Sequence, residues 1–297
     1  MGTTTAVRED NSILELTRLN RLMKLSEGEP EIRIGLIDGP VGAHPDLVGA
    51  RSQTLLGGAS INCQNINSLA CQHGTFITGI LCSRRGSQAP GICPNCTILV
   101  RPIFCEEMYG NPPCPEVTTE ELARTICETV DAGVNTINLS LGLANTALID
   151  YPDLEAAIAY AMGKGVLLVA AAGNQGNLGP LPLFKHPWTI PVIACDARGQ
   201  IAHGSNLGLS VGRSGLIAPG VNVTSTAPET GFTSMSGTSV AAPFVTGEIA
   251  LLQSLFPRQS AAQIRRAILR PGVRRGSVCP PLLDAWESWQ FLSDQTG

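Results

Sequence analysis

The chain has 297 residues, of which 43% are hydrophobic and 15% charged, and this balance is typical of a well-buried globular protein with one large domain. A formal net charge of −4, without a dense stripe of Lys or Arg, gives no support for nucleic acid as a partner. No apolar run reaches the length of a membrane span, and the N-terminus has neither a basic start nor an apolar signal core. We therefore expect a cytoplasmic protein without a membrane partner.

Residues 1–30 are predicted to form an N-terminal extension ahead of a main domain that covers residues 31–297. Hydrophobic side chains recur in the extension at helical spacing, which predicts one short amphipathic helix. These side chains are Ile13, Leu16, Leu19, Leu22 and Met23. A Gly- and Pro-containing stretch at 26–30 then breaks the helix. The segment is too short to be an independent domain.

From residue 32 onward, predicted strands alternate with predicted helices. The strands cover 32–38, 98–100, 136–142, 166–171, 190–195 and 221–226, and the helices cover 118–131, 153–164, a long stretch from Ser239, and 260–269. A further helix-like stretch follows His73. This alternation predicts an α/β protein whose parallel sheet is covered by helices on both faces.

Polar residues follow three of the predicted strands where each strand ends. Asp38 ends the first strand, Ser140-Leu141-Gly142 ends another, and Asn174 follows the most hydrophobic strand. Ligands of such sheets bind beyond the carboxyl ends of the strands. This edge of the sheet is therefore the predicted functional site.

Ser239 lies in a turn of small residues at the start of the predicted long helix. Backbone N–H groups at a helix start have no partner within the helix, and with the helix dipole they favour a developing negative charge. That environment suits a nucleophile in acyl transfer. The alternative is an ordinary serine N-cap.

His73, Asp38 and Asn174 supply what a serine nucleophile needs. A histidine can take the hydroxyl proton near neutral pH, a carboxylate can hold the imidazole tautomer, and a side-chain amide can donate to an oxyanion. Considered singly, Asp38 could be a strand-end cap and His73 a core histidine. The chain order of acid, base, amide and serine favours a shared chemical role.

Ten cysteines are unusual for a cytoplasmic protein, which normally keeps its thiols reduced. Cys93 and Cys96 have the spacing of a zinc or redox pair, but no second pair with similar spacing accompanies them, so a structural use is preferred. Cys63 with Cys71, and Cys105 with Cys114, each flank a short loop and are the simplest local disulfides. The sequence does not fix the connectivity.

The motifs Asp38-Gly39, His73-Gly74-Thr75, Ala172-Gly173-Asn174 and Gly237-Thr238-Ser239 resemble the signatures of the subtilisin family of serine proteases. The chain order also matches that of the family. The resemblance implies a three-layer sandwich with a mostly parallel central sheet and helices on both faces.

The same resemblance implies a serine endopeptidase that hydrolyses peptide bonds through an acyl-enzyme. It implies Asp38, His73 and Ser239 as catalytic residues and Asn174 as the oxyanion donor. Ser140-Leu141-Gly142 resembles the edge strand against which an extended peptide substrate pairs.

Some features depart from common subtilisins. We expect neither the signal nor the prodomain of secreted subtilisins. Arg84 and Arg85 stand in a loop where the family often binds calcium, so no metal or other cofactor is expected. The cysteine-rich stretch 89–104 resembles the protease domains that mature cyanobactins, which are ribosomally made peptides. The macrocyclising members carry a helical insertion between the acid and the base, whereas only 35 positions separate Asp38 from His73.

Cleavage of the leader of a precursor peptide is therefore preferred to ring closure. Two alternatives stay open at this point. One is a general intracellular subtilisin for protein turnover, and the other is a catalytically silent scaffold that binds peptides.

Overall fold

The computed structural model of the chain describes residues 12–55, 62–106, 117–140, 151–269 and 276–295. Its centre is a seven-stranded sheet in the order β2-β3-β1-β4-β5-β6-β7, in which every neighbouring pair is parallel. The strands are β1 (Arg33–Asp38), β2 (Arg51–Thr54), β3 (Thr97–Pro102), β4 (Thr136–Leu139), β5 (Leu167–Ala171), β6 (Thr189–Cys195) and β7 (Leu216–Pro219).

Helices cover both faces of this sheet. The α-helices are α1 (residues 12–16), α2 (Leu19–Leu22), α3 (Leu69–Cys82), α4 (Thr119–Asp131), α5 (Pro152–Gly163), α6 (Leu209–Ser214), α7 (Thr238–Leu255), α8 (Ala261–Ile268) and α9 (Ala285–Ser293). Within the described ranges, no helix has both the length and the hydrophobicity needed to cross a bilayer.

Two hydrophobic cores lie on opposite faces of the sheet, and alternate residues of one strand enter different cores. In β5, Leu167 and Val169 pack with α3 and α7, whereas Leu168 and Ala170 pack with α4 and α5. A strand that is hydrophobic on both faces requires two covered faces. The predicted three-layer α/β sandwich is thereby confirmed.

Local signals explain where several helices begin and end. The Thr118 side chain accepts the Glu121 N–H at the start of α4, and Ser260 and Gln263 form a reciprocal capping box at the start of α8. Gly165 has a φ of +72° just after α5, a conformation that glycine tolerates without strain.

Some predicted boundaries were wrong. The predicted strand 221–226 does not join the main sheet, because β8 (Val223–Thr226) pairs antiparallel with β9 (Phe232–Met235) in a separate hairpin. The helix that His73 was expected to open starts four residues earlier, since Ser68 caps it by accepting the Cys71 N–H. Strands β2 and β7 were not predicted.

The N-terminal segment differs from the single helix that its hydrophobic spacing predicts. Helices α1 and α2 are separate because Arg18, between them, has a left-handed φ of 54° and its guanidinium pairs with Asp284. Leu19 and Leu22 of α2 are fully buried and belong to the hydrophobic core that also contains α7 and α9 residues.

Candidate active site

Asp38 is the last residue of β1, between the ends of β3 and β4, and it is fully buried. Its Oδ1 accepts the Gly39 N–H at 2.6 Å. Glycine at position 39 allows the strand end to approach α3, because a Cβ there would overlap the Ala70 carbonyl. The chain thus brings a buried carboxylate directly against the helix that carries His73.

His73 lies in the second turn of α3 and bridges the other two polar groups. Its Nδ1 is 2.7 Å from Asp38 Oδ1, and its Nε2 is 3.0 Å from Ser239 Oγ. An acceptor-only carboxylate at Nδ1 requires a proton on that nitrogen, so in the neutral ring Nε2 is free to accept from the serine hydroxyl.

The pKa of His73 is raised above the usual 6.5. Burial favours the neutral ring and acts to lower the pKa, but the charge of Asp38 and its hydrogen bond act the other way and prevail. The side chain is 26% exposed, so the ring keeps an open side.

Ser239 is the second residue of α7, and its oxygen faces His73 at the mouth of that helix. Within the described residues its backbone N–H has no hydrogen-bond acceptor, as expected in the first turn of a helix. Gly237 precedes the helix with a φ of +150°, and a Cβ there would lie 3.2 Å from Asn174 Nδ2 and 3.5 Å from Ser239 Oγ. The missing side chain leaves the space between these two groups open.

Asn174 follows β5, and two hydrogen bonds tie Gly173 and Asn174 to the start of α7. The Gly173 N–H donates to Thr238 Oγ1 at 3.0 Å, and the Thr238 N–H donates to Asn174 Oδ1 at 2.9 Å. The Asn174 side-chain oxygen is thereby occupied, while its Nδ2 has no acceptor in the described part of the chain. Thr238 was not predicted to have a role, because its hydroxyl contacts a residue 65 positions away.

Ser140 directly follows β4. The neighbouring strand β1 ends at Asp38, and Asn174 follows the other neighbour, β5. It is buried, and its Oγ accepts from Asn138 Nδ2 at 2.6 Å. The structure therefore brings Asp38, His73, Ser239, Asn174 and Ser140 to one edge of the sheet. Leu141 and Gly142, the other two residues of the predicted substrate strand, lie outside the described residues.

In the loop after α3, the positive charge of Arg84 lies beside the Asp46 carboxylate. Arg84 Nε donates to Asp46 Oδ1 at 2.5 Å, and Ser87 Oγ donates to Asp46 Oδ2 at 2.6 Å. Burial acts to raise the pKa of Asp46, but these two partners hold it below its usual value. Both carboxylate oxygens are thus occupied by the loop itself.

Cys63 and Cys71 form a disulfide with a Cα–Cα distance of 5.4 Å, as predicted. With Glu106 they are also the only group in the described ranges with the spacing of a metal site, but both sulfurs are bonded and Glu106 accepts the N–H groups of Gln64 and Asn65. Cys105 is disulfide-bonded, and its predicted partner Cys114 lies outside the described residues.

Cys93 and Cys96 are free, buried thiols, and they lie close to a third one, Cys82. A hydrogen bond with Cys82 and burial raise the pKa of Cys93 well above its usual value. A hydrogen bond with Cys93 and burial likewise raise the pKa of Cys96, and a raised pKa disfavours the reactive thiolate. Free, buried thiols at positions 93 and 96 agree with the predicted structural use.

Comparisons with known proteins identify the family of this chain. A sequence profile described as the subtilase family, Peptidase S8, matches residues 31–275. Subtilisin DY from Bacillus licheniformis is 30% identical over 246 residues, which cover 80% of this chain and 82% of that protein.

Two solved structures are similar over most of the chain. A serine-to-alanine mutant of the protease domain of PatA matches with a TM-score of 0.80 at 31% identity, covering 90% of this chain and 97% of that one. The prenylagaramide maturation protease PagA matches with a TM-score of 0.78 at 29% identity, and the match covers 92% of this chain and 98% of that one. The chain is a serine endopeptidase of peptide or protein substrates, and it belongs to the subtilase family.

Proposed function

We propose that Ser239 is the nucleophile of this protease, His73 its general base and Asp38 the group that orients the imidazole. The observation that carries the proposal is the continuous contact from Asp38 Oδ1 through His73 to Ser239 Oγ, at 2.7 and 3.0 Å. Asp38 also stabilises the imidazolium that forms when His73 takes the proton.

In the acylation step, the Ser239 Oγ–H proton moves to His73 Nε2 while Oγ bonds to the substrate carbonyl carbon. The carbonyl oxygen becomes an oxyanion, which accepts hydrogen bonds from Asn174 Nδ2 and the Ser239 N–H. As the C–N bond breaks, the Nε2 proton passes to the leaving amine. Water then hydrolyses the acyl-enzyme, with His73 again acting as the base.

The substrate is an extended peptide that pairs with the segment Ser140-Leu141-Gly142. Ser140 supports this assignment, because it directly follows β4 at the same edge of the sheet as the three reacting groups. Backbone pairing gives general peptide affinity, and side-chain pockets add selectivity.

We further propose that the natural substrate is a precursor peptide whose leader is cleaved. The similarity to PagA, described as a maturation protease, and to the PatA protease domain supports this substrate class. The PatG macrocyclase domain is 22% identical and is similar in fold alone. Between Asp38 and His73 the described residues contain a 3-10 turn, strand β2 and the start of α3, which favours hydrolysis over ring closure.

A fluorophosphonate probe tests the proposed nucleophile. We expect one adduct on Ser239 in the folded protein and none in Ser239→Ala, with Ser254→Ala in the same helix as the matched control. Labelling at another residue would assign the nucleophile elsewhere, and no labelling would contradict an activated serine at position 239.

A peptide library read by mass spectrometry tests the substrate class. Cleavage confined to a few related sequences fits a leader peptidase. Broad cleavage would instead indicate a protease for general protein turnover.

A further inference from the structure

Asn206 is a fully buried residue in the loop between β6 and α6, and its side-chain hydrogen bonds go to neither Ser239 nor His73. Its side-chain Oδ1 accepts the N–H groups of Gln175 at 3.1 Å and Asn177 at 2.9 Å. Its Nδ2 donates to the Ala172 carbonyl at 3.0 Å and to Gln175 Oε1 at 2.8 Å.

These bonds use the full hydrogen-bonding capacity of the Asn206 amide, and all of them go to residues 172–177. The Asn206 backbone N–H adds a bond of 3.0 Å to the Gly173 carbonyl. Asn174 lies in the middle of that segment, so one buried side chain holds the backbone on both sides of it.

The Asn206 bonds add to two others that hold this segment, from the Gly173 N–H to Thr238 Oγ1 and from the Gly176 N–H to the Gly204 carbonyl. Gly173 and Gly176 have φ values of +98° and +66°, a region that glycine visits freely. A Cβ on Gly173 would overlap Asn206 Nδ2, so the amide occupies the space that a side chain at position 173 would fill. Asn174 itself is exposed, and its side chain has one hydrogen bond, to the Thr238 N–H.

We propose that Asn206 is a positioning residue that sets the place of Asn174 Nδ2 relative to Ser239. The proposal rests on the proposed role of Asn174 as oxyanion donor. Asn206 acts through the segment 172–177, so its loss moves the donor without touching the substrate. Displacement of a group in an active site by about 1 Å can cost on the order of 10²-fold in rate.

The test is a double-mutant cycle measured as kcat and KM on a chromogenic peptide amide. We expect Asn206→Ser to lower kcat by about 10- to 100-fold with KM nearly unchanged. Both changes remove the same oxyanion bond. The double variant Asn206→Ser/Asn174→Ala should therefore have a kcat only slightly lower than that of Asn174→Ala alone. Thr129→Ala, which removes a buried hydroxyl from α4, is the control, since it should lower stability without moving Asn174.

Asn206→Asp provides a second readout that general destabilisation would not imitate. A protonated carboxyl can keep one of the two bonds that the amide donates, whereas the carboxylate can keep neither. We expect the ratio of its kcat to that of the wild type to fall as pH rises, measured at pH values where His73 is neutral in both proteins. A flat ratio would contradict the positioning role.

The outcomes separate the two proposals. If Asn174→Ala leaves kcat unchanged, the proposed oxyanion donor is wrong. If Asn174→Ala lowers kcat but Asn206→Ser is neutral or fully additive with it, only the positioning role is overturned.

Discussion

The backbone N–H of Thr238 donates a hydrogen bond of 2.9 Å to the side-chain Oδ1 of Asn174. Since an N–H needs an acceptor, this bond fixes which end of the amide faces the helix and leaves Nδ2 turned toward the space beside Gly237. The orientation of the Asn174 amide therefore follows from the way α7 begins.

Asn174→Ala should lower kcat by about 10²–10³-fold with little change in KM, because the amide bonds the oxyanion more strongly than the ground-state carbonyl. Asn174→Asp is the matched variant, since it keeps an acceptor for Thr238 but has no donor. Steady-state kinetics of both variants provide the measurement. A loss mainly in KM would assign Asn174 to substrate recognition instead.

The raised pKa of His73 predicts the acid limb of the activity profile. His73 must be neutral to accept the serine proton, so kcat/KM should increase with pH around a midpoint above 6.5. The measurement is kcat/KM against pH on a substrate that does not titrate. A midpoint at or below 6.5 would contradict the influence of Asp38.

The raised pKa of His73 makes stability depend on pH in the direction opposite to activity. Protonated His73 pairs with Asp38, so its contribution is fully present below 6.5 and is lost as pH rises through the higher folded-state pKa. Asp38→Asn removes the charge that raises the pKa of His73 and weakens the hydrogen bond, so burial, which lowers this pKa, is opposed less. In that variant the His73 resonances, followed by NMR, should titrate at lower pH than in Ser239→Ala.

Chelators should leave activity and melting temperature nearly unchanged. Arg84 and Ser87 occupy the Asp46 carboxylate, and the one metal-like cluster in the described ranges contains two disulfide-bonded sulfurs. Removal of a ligand that binds only the folded state lowers stability, so thermal melting with and without a chelator is a direct check. A drop in melting temperature that added calcium or zinc restores would contradict this prediction.

Reduction of the Cys63–Cys71 disulfide should lower stability without removing any reacting group. Closing so short a loop stabilises by about 2–3 kcal/mol in the chain-entropy model. Cys63→Ser should reproduce part of the drop in melting temperature that reductant causes in the wild type, because reductant also opens the disulfide of Cys105. Mass measurement after alkylation without reductant should find Cys63 and Cys71 protected, and free thiols at both positions would refute the bridge. The cytoplasmic location stays a prediction.

The sequence predicted the sheet and the polar residues at its edge because these depend on local signals. The run 166–171 is hydrophobic enough to require two covered faces, and Gly237-Thr238-Ser239 combines a turn with a helix start. In the structure, Asp38, His73 and Ser239 lie within hydrogen-bonding distance of one another in series.

The missed features depend on contacts between distant parts of the chain. Val223–Thr226 has the pattern of any strand, and only its partner β9 places it outside the main sheet. Asn206, in a stretch of small and polar residues, reads as part of a turn. Its partners are about 30 positions earlier, and no periodicity in the sequence connects them.

Helix α2 has a practical consequence for anyone who moves this protease into another protein. The family match begins at residue 31, but Leu19 and Leu22 fill space in the core beside α7 and α9. Burying one such side chain is worth about 1.5–3 kcal/mol. A fusion protein that begins at residue 31 would expose hydrophobic surface on the helix that carries Ser239. Residues 12–30 should therefore be kept together with the domain.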